Sequence, residues 1–211
     1  NFGAFAGYMK RFEVLSTSQY RSALKKYNEP STLDGGSSTD ALKAITQDNI
    51  SQNYSVSLSG GNETGKYRAT FLAADNNGFL KKSSLKKYLA TFNGQYNFID
   101  NKLSIDFGLI AGNFGESLTP VANTSGSTGN VISSALSWNP TSPLRTSGKY
   151  NFPATGSGNP LAIIDAYDDK TNVSAFLGNI SFAYKILPNL YYIFFFRINY
   201  ETVCLKLIVL C

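Results

Sequence analysis

The chain has 211 residues, of which 43% are hydrophobic, 14% aromatic and only 16% charged, and its formal net charge is +5 at pH 7. It contains no histidine, which excludes His-based catalytic triads and imidazole metal sites. The basic residues are scattered or stand in short runs such as Lys81-Lys82 and Lys86-Lys87, so we interpret them as solvated charges rather than as a nucleic-acid site. We therefore predict a protein that is not an enzyme and that has no catalytic residues, no metal and no cofactor.

The first fifty residues predict the end of one strand and two short helices. Residues 1–8 alternate aromatic and small side chains, as at the end of a β-strand. Ser16 is followed three residues later by glutamine, a capping-box spacing that predicts a helix over Thr17 to Tyr27. A second helical turn is predicted to begin at Thr39 or Asp40.

The stretch from Asn53 to Gly112 predicts four consecutive strands joined by tight turns. Each strand alternates apolar or aromatic residues with polar ones, as serines alternate with Tyr54, Val56 and Leu58 in the first. The strands are long, about ten residues, which is typical of a membrane barrel wall. Six side chains are predicted to share the outer face: Tyr54, Val56, Phe71, Phe92, Phe107 and Phe182.

The alternation then stops for about sixty residues, and it returns from Phe176 onward. We predict a long excursion over residues 113–172 with one helix from Asn130 to Trp138, followed by a short turn at residues 187–189. Such a segment is unusual in a compact soluble domain but ordinary as an extracellular loop of a barrel. The predicted fold class is therefore all-β: an antiparallel, up-and-down transmembrane β-barrel segment of about seven strands, with short loop helices.

Two motifs that resemble sites of chemistry are interpreted as turns and loops. Residues 60–66 match the Gly-x4-Gly-Lys half of a phosphate-binding loop, but Tyr67 and a strand follow where a Ser or Thr and a helix are needed. Asp165, Asp168 and Asp169 lack the spacing of a calcium loop, and we interpret them as solvated loop charges.

Trp138 and Tyr150 are the candidate substrate-binding residues. Both lie in the long excursion, and an aromatic ring there could stack on a sugar ring. The alternative is that these two side chains anchor the loop to the barrel rim.

Several motifs, in order and spacing, resemble the SusC/RagA family of TonB-dependent outer-membrane transporters. They are the run Ser51–Glu63, the segment Trp138–Thr141 followed by Asn159-Pro160, and Gly178–Ser181. The resemblance spans about residues 1–192. One departure is Ala41-Leu42 in the short helix before the first long strand, where the family typically has a tryptophan.

The resemblance implies the first part of a barrel in the cell outer membrane, in contact with outer-membrane lipid. Family members import oligosaccharides or peptides together with a SusD-like surface lipoprotein, and TonB supplies the energy through a plug region. The plug and the TonB-contacting segment are expected to lie outside this chain. The alternative function is a soluble or surface β-rich carbohydrate-binding or adhesin module, and a third hypothesis, a hydrolase that uses the loop aspartates, lacks a histidine.

We divide the chain into a partial barrel, residues 1–189, and an apolar tail, residues 190–211. Tyr191–Phe196 is apolar on both faces, and the tail contains both cysteines, Cys204 and Cys211. A transmembrane helix would bury three charged residues there, at about 2.5 to 3.5 kcal/mol for a central Lys or Arg. We interpret the tail as the product of a reading frame lost near residue 191.

Overall fold

The computed structural model describes residues 2–7, 10, 12–121, 130–153 and 158–209. Asn1, Tyr8 and Cys211, to which the sequence analysis assigned places in the first strand and the tail, lie outside these ranges. The elements in chain order are β1 (Phe2–Gly7), α1 (Thr17–Lys26), a 3-10 helix (Ser31–Leu33), α2 (Ala41–Ile45), β2 (Asn49–Gly61), β3 (Gly65–Asn77), β4 (Ser84–Phe98), β5 (Leu103–Leu118), α3 (Val131–Leu136), β6 (Arg145–Thr146), β7 (Lys149–Tyr150), α4 (Pro160–Ala166), β8 (Tyr167–Leu187) and β9 (Leu190–Val209).

Seven strands form one antiparallel sheet in the order β1-β2-β3-β4-β5-β8-β9. Each strand pairs with the next one along the chain, apart from the two-residue strands β6 and β7, which pair only with each other. This order confirms the predicted up-and-down arrangement. Among the described helices, none has the length and apolar character needed to cross a membrane.

The strand register separates the sheet into an aromatic face and a polar face. Val56 lies opposite Phe71, and Phe92 lies opposite Leu109, so these side chains share one face. Val56 is 68% exposed and Phe71 51% exposed, so the aromatic face is open along these strands. The same register places all six predicted residues on the aromatic face: Tyr54, Val56, Phe71, Phe92, Phe107 and Phe182.

The long excursion is shorter than predicted, because β5 continues to Leu118 and β8 already begins at Tyr167. The sheet there is held by backbone pairing, which needs no alternation of side chains. Polar residues support the pairing on the aromatic side: the Asn113 amide donates to Asn172 Oδ1 at 2.7 Å and to Ser174 Oγ at 2.9 Å. The prediction that this segment is loop from residue 113 to residue 172 is therefore wrong at both ends.

The predicted helices are confirmed at their N-termini. The Ser16 N–H donates to Gln19 Oε1 at 2.8 Å and the Gln19 N–H donates to Ser16 Oγ at 3.3 Å, which completes the capping box of α1. Asp40 caps α2 and Asn130 caps α3. Helix α3 ends at Leu136, before the predicted end at residue 138, and α4 was not predicted.

The apolar tail forms strand β9, which pairs with β8 along its length, and not the helix considered as an alternative. Its register places Arg197, Asn199 and Glu201 on the polar face, whereas Phe196 and Ile198 lie on the aromatic face. Residues 196–201 therefore alternate like the earlier strands. The lost reading frame stays a prediction.

Candidate functional site

The long loops of the chain meet at one end of the sheet. The connections of residues 62–64, 99–102 and 188–189 are short turns at the other end. Three segments share the end where α2, α3 and α4 lie: the described residues within 8–48, the β3–β4 turn at residues 78–83, and the described residues within 119–166. We name the described part of these three segments the cap.

The cap has its own small hydrophobic core, although the sequence analysis predicted only separate loop helices. Its members come from all three segments and pack against one another because each helix is too short to bury its apolar face alone. The buried core residues of the cap are Ala41, Leu42, Ile45, Leu80, Val131, Ala135, Trp138 and Ile164.

Trp138, predicted as a substrate-binding or loop-anchoring residue, lies in this core. Its side chain is 9% exposed, and its indole Nε1 donates to the Ser142 carbonyl at 2.9 Å. A buried tryptophan whose N–H is paired stabilises the loop around it. The position agrees with the anchoring alternative, and direct contact with a substrate stays a prediction.

Tyr150, the second predicted residue, belongs to a cluster with Arg145 and Asp165. The Arg145 guanidinium lies 4.2 Å from the centre of the Tyr150 ring and donates to Asp165 Oδ2 at 2.7 Å. The Tyr150 hydroxyl donates to the same Asp165 oxygen at 2.5 Å, which raises the pKa of Tyr150 above its usual value, with desolvation as the second cause. Asp165 is thus paired, and its side chain is 39% exposed, in agreement with its interpretation as a solvated charge.

Lys81 and Lys82, also interpreted as solvated charges, hold two helix ends of the cap. The Lys81 ammonium donates to the Ala44 carbonyl at 2.6 Å, near the C-terminus of α2. The Lys82 ammonium donates to the carbonyls of Ile164 at 2.8 Å and Tyr167 at 3.0 Å, around the C-terminus of α4. A cation at a helix C-terminus satisfies free carbonyls and interacts favourably with the helix dipole.

We expect Lys82→Met to destabilise the C-terminal turn of α4 by about 1 kcal/mol. The carbonyls at this turn lose their charged hydrogen-bond donor and accept hydrogen bonds from water instead. Amide hydrogen exchange of α4 measures this loss, and protection of the β3–β4 strand pair should not change. Lys86→Met is the matched control, since the Lys86 ammonium is 3.9 Å from Asp75 in an exposed ion pair. Equal exchange in both variants would refute the role of Lys82.

Asn159 positions α4, and the sequence analysis did not predict its role. Its side chain is fully buried; Oδ1 accepts from the N–H groups of Leu161 at 2.9 Å and Ala162 at 3.1 Å. Its Nδ2 donates to the carbonyls of Leu144 at 2.7 Å and Asn151 at 2.8 Å. The Asn-Pro pair is itself a helix-start signal, with asparagine at the N-cap and proline at the first helical position.

Helix α1 contacts the rest of the cap through polar side chains. Arg21 forms a two-point ion pair with Asp34, at 2.8 Å and 3.1 Å, and Thr17 Oγ1 donates to the Pro140 carbonyl at 3.0 Å. The hydrogen bonds from Arg21 and from the Gly36 N–H hold the pKa of Asp34 below its usual value. A groove of about 1430 Å³ lies between α1 and the end of α3, lined in part by Leu136.

The cap offers aromatic, amide and ion-paired groups but no metal centre. In the part of the chain that the structure describes, no three potential metal ligands are grouped together. Such a surface can bind a ligand through stacking and hydrogen bonds.

The chain is similar to transport proteins in sequence and in structure. It is 27% identical, over 89% of its length, to the TonB-dependent receptor SusC of Bacteroides thetaiotaomicron. It superposes on a structure of the RagAB peptide transporter with a TM-score of 0.72 over 96% of its length, at 11% identity. The SusC/RagA resemblance is confirmed. The chain also superposes on a structure of the RagAB peptide importer in the closed-closed state, with a TM-score of 0.62 over 79% of its length and 13% identity.

The similarity covers a minor part of each SusC/RagA-type relative. The chain spans 21% of SusC, and 27% and 19% of the matched chains of the two RagAB structures. No protein-family model matches the chain. The relatives are a receptor, a peptide transporter and a peptide importer, and none of these three is named as an enzyme.

Proposed function

We propose that the chain forms barrel wall and extracellular cap of a TonB-dependent transporter in the cell outer membrane, which imports oligosaccharides or peptides. The observation that carries this proposal is the aromatic face, on which Val56, Phe71 and Phe194 are more than half exposed. Apolar surface in water costs about 25 cal/mol per Å², whereas lipid tails cover it without that cost. The match to RagAB supports the same conclusion.

The partners follow from the same proposal. The cap lies at the end with the long loops, which faces the outside in outer-membrane barrels. A SusD-like surface lipoprotein therefore meets the protein on this side, and TonB acts from the other side through a plug region. The lipid contact is the aromatic face.

We propose Trp138 and Tyr150 as substrate-binding residues with unequal roles. Tyr150 is the more accessible of the two, and the Arg145 and Asp165 side chains beside it can bind polar groups of a substrate. Trp138 contributes from the core, by fixing the shape of the loop. This arrangement supports ligand capture by the cap and requires no catalytic step.

Membrane fractionation tests this function against the alternative, a soluble carbohydrate-binding or adhesin module. Cells that produce the protein are lysed, and the membranes are washed with carbonate at high pH and then extracted with detergent. We expect the protein to stay in the washed outer membrane and to need detergent for release, because the aromatic face is in lipid. Recovery of a monomer in the aqueous fraction would refute the transporter proposal and favour the soluble module.

A further inference from the structure

The aromatic face of the sheet becomes polar toward the cap. Tyr54 and Tyr88 lie in one row of this face, since both are aligned with Ala73. Lipid tails cannot form hydrogen bonds with polar side chains, so the apolar part of a membrane ends near this tyrosine row. The next two rows toward the cap contain charged, amide and hydroxyl side chains, among them Asp75, Lys86, Asn172, Ser84, Ser117 and Lys170.

The position of these polar rows corresponds to the level of lipid headgroups. Lys86 is two residues from Tyr88 on the same strand, and two residues span about 6.8 Å. Aromatic side chains form girdles at both membrane interfaces of outer-membrane barrels, and the headgroup region adds about 5 to 7 Å beyond the hydrocarbon on each side. The assignment of this level rests on the proposed function, which places the aromatic face in the outer membrane.

A gap in this polar surface lies at Gly115 of β5. Gly115 is aligned with Lys86 on one side and with Asn172 on the other, so the three residues share a face. Beyond its chain neighbours, no described residue has an atom within 4 Å of a Cβ added at Gly115. At Gly94, on the same face, the Phe107 ring fills the corresponding space. We name the gap the Gly115 notch.

Two lysine ammonium groups flank the Gly115 notch. Lys86 lies directly opposite Gly115, and Lys170 lies on β8, one row nearer to the cap. Their side chains are 57% and 58% exposed, and they pair with Asp75 at 3.9 Å and with Asp168 at 2.8 Å. Such exposed ion pairs are weak, and each ammonium has three donors. An anionic group in the notch can therefore bind to both lysines.

An amide and a hydroxyl lie beside the same notch. The Asn113 amide donates to Asn172 Oδ1 at 2.7 Å and to Ser174 Oγ at 2.9 Å. Because these two oxygens act as acceptors here, the Asn172 Nδ2 and the Ser174 O–H are the groups that can donate to a ligand. Neutral donors of this kind suit the hydroxyl groups of a sugar.

We propose that the Gly115 notch binds the phosphorylated sugar headgroup of a glycolipid in the outer leaflet. Lys86 and Lys170 bind the phosphate through charge-assisted hydrogen bonds, and Asn172 and Ser174 bind sugar hydroxyls. The acyl chains lie along the aromatic face, on the side of Tyr88 away from the cap. The notch thus selects one class of lipid, whereas the rest of the aromatic face contacts any lipid tail.

Native mass spectrometry tests the proposal on the unaltered protein, purified in detergent from the washed outer membrane. The probe is monophosphoryl lipid A, and the two controls are the same lipid without its phosphate and phosphatidylglycerol, which has a phosphate but no sugar. We expect the probe to bind at least about tenfold more tightly than either control. A control that binds as tightly as the probe would overturn the proposal. Since the protein already comes from the washed membrane, that result would leave the transporter function intact.

Three variants locate the lipid at the Gly115 notch. Gly115→Leu should weaken binding of monophosphoryl lipid A at least about tenfold, because its side chain fills the open space without displacing another residue. Lys86→Gln should weaken it about three- to fivefold and leave binding of the dephosphorylated lipid unchanged. Lys87→Gln is the matched control, because Lys87 is the next residue, lies on the opposite face and stacks on Phe114. Equal binding by Lys86→Gln and Lys87→Gln would refute the assignment, and so would unchanged binding by Gly115→Leu.

Discussion

Replacing Trp138 with alanine is expected to unfold the cap while the seven-stranded sheet stays paired. Removing a buried tryptophan side chain costs about 3 to 5 kcal/mol, and Trp138 belongs to one small core that joins three helices and the β3–β4 turn. Hydrogen exchange followed by mass spectrometry should show lost protection in α2, α3 and α4, and unchanged protection in β3 and β4.

Leu136→Ala is the control for this experiment. Leu136 lies in the same segment but is 36% exposed, so its removal should cost well under about 1 kcal/mol. Trp138→Phe should fall between the two variants, since it keeps most of the apolar volume but loses the hydrogen bond to Ser142. Full protection of the cap helices in Trp138→Ala would show that the core does not hold the cap together.

Replacing Asn159 with alanine is expected to release α4 and the β6–β7 ribbon from the cap. Three backbone groups lose this partner: two N–H groups of α4 and the Asn151 carbonyl. The Leu144 carbonyl loses the Asn159 amide but keeps the Asn151 N–H at 3.1 Å. Each unsatisfied buried group costs about 1 to 3 kcal/mol, so the loss should reach several kcal/mol. Exchange of the α4 amides and limited proteolysis between residues 143 and 153 measure it.

Asn130→Ala is the matched control, because Asn130 caps α3 with the same two hydrogen bonds, to Ile132 and Ser133. Its amide lies nearer to solvent and, among the described residues, donates to the carbonyl of Val121, so we expect a loss of about 1 kcal/mol. Asn159→Asp distinguishes the helix cap from the hydrogen bonds of the side-chain amide. The aspartate can still cap α4 but cannot donate to either carbonyl. Equal destabilisation by Asn159→Ala and Asn130→Ala would show that the buried amide donors contribute nothing.

These variants bear on the proposed transport function because the cap is joined by contacts between segments that are distant in the chain. Lys82 binds carbonyls at the end of α4, and Asp165 at that same end binds Tyr150 and Arg145. A change in the β3–β4 turn therefore reaches the proposed substrate residues through two sets of contacts. Measurements of uptake should accordingly be compared with exchange data before a substrate contact is assigned.

The sequence by itself determined the sheet and most helix starts. Alternation over Asn53–Gly112 assigned each residue to a face, because successive side chains of a strand point to opposite sides. Short turns required antiparallel neighbours, and the capping box of Ser16 set the start of α1. All of these signals act over a few residues, so they can be read without knowledge of distant partners.

Only the tertiary structure decided where the sheet ends and how the loops combine. The polar ends of β5 and β8 are strands because their backbones pair with each other. Apolar and polar residues do not alternate there, so the sequence pattern does not predict these strand ends. Lys82, Trp138 and Asp165 looked like surface or loop residues in sequence, yet each bonds or packs with partners in the cap. Those partners are brought together by closing loops, and a contact between distant segments leaves no local pattern in the chain.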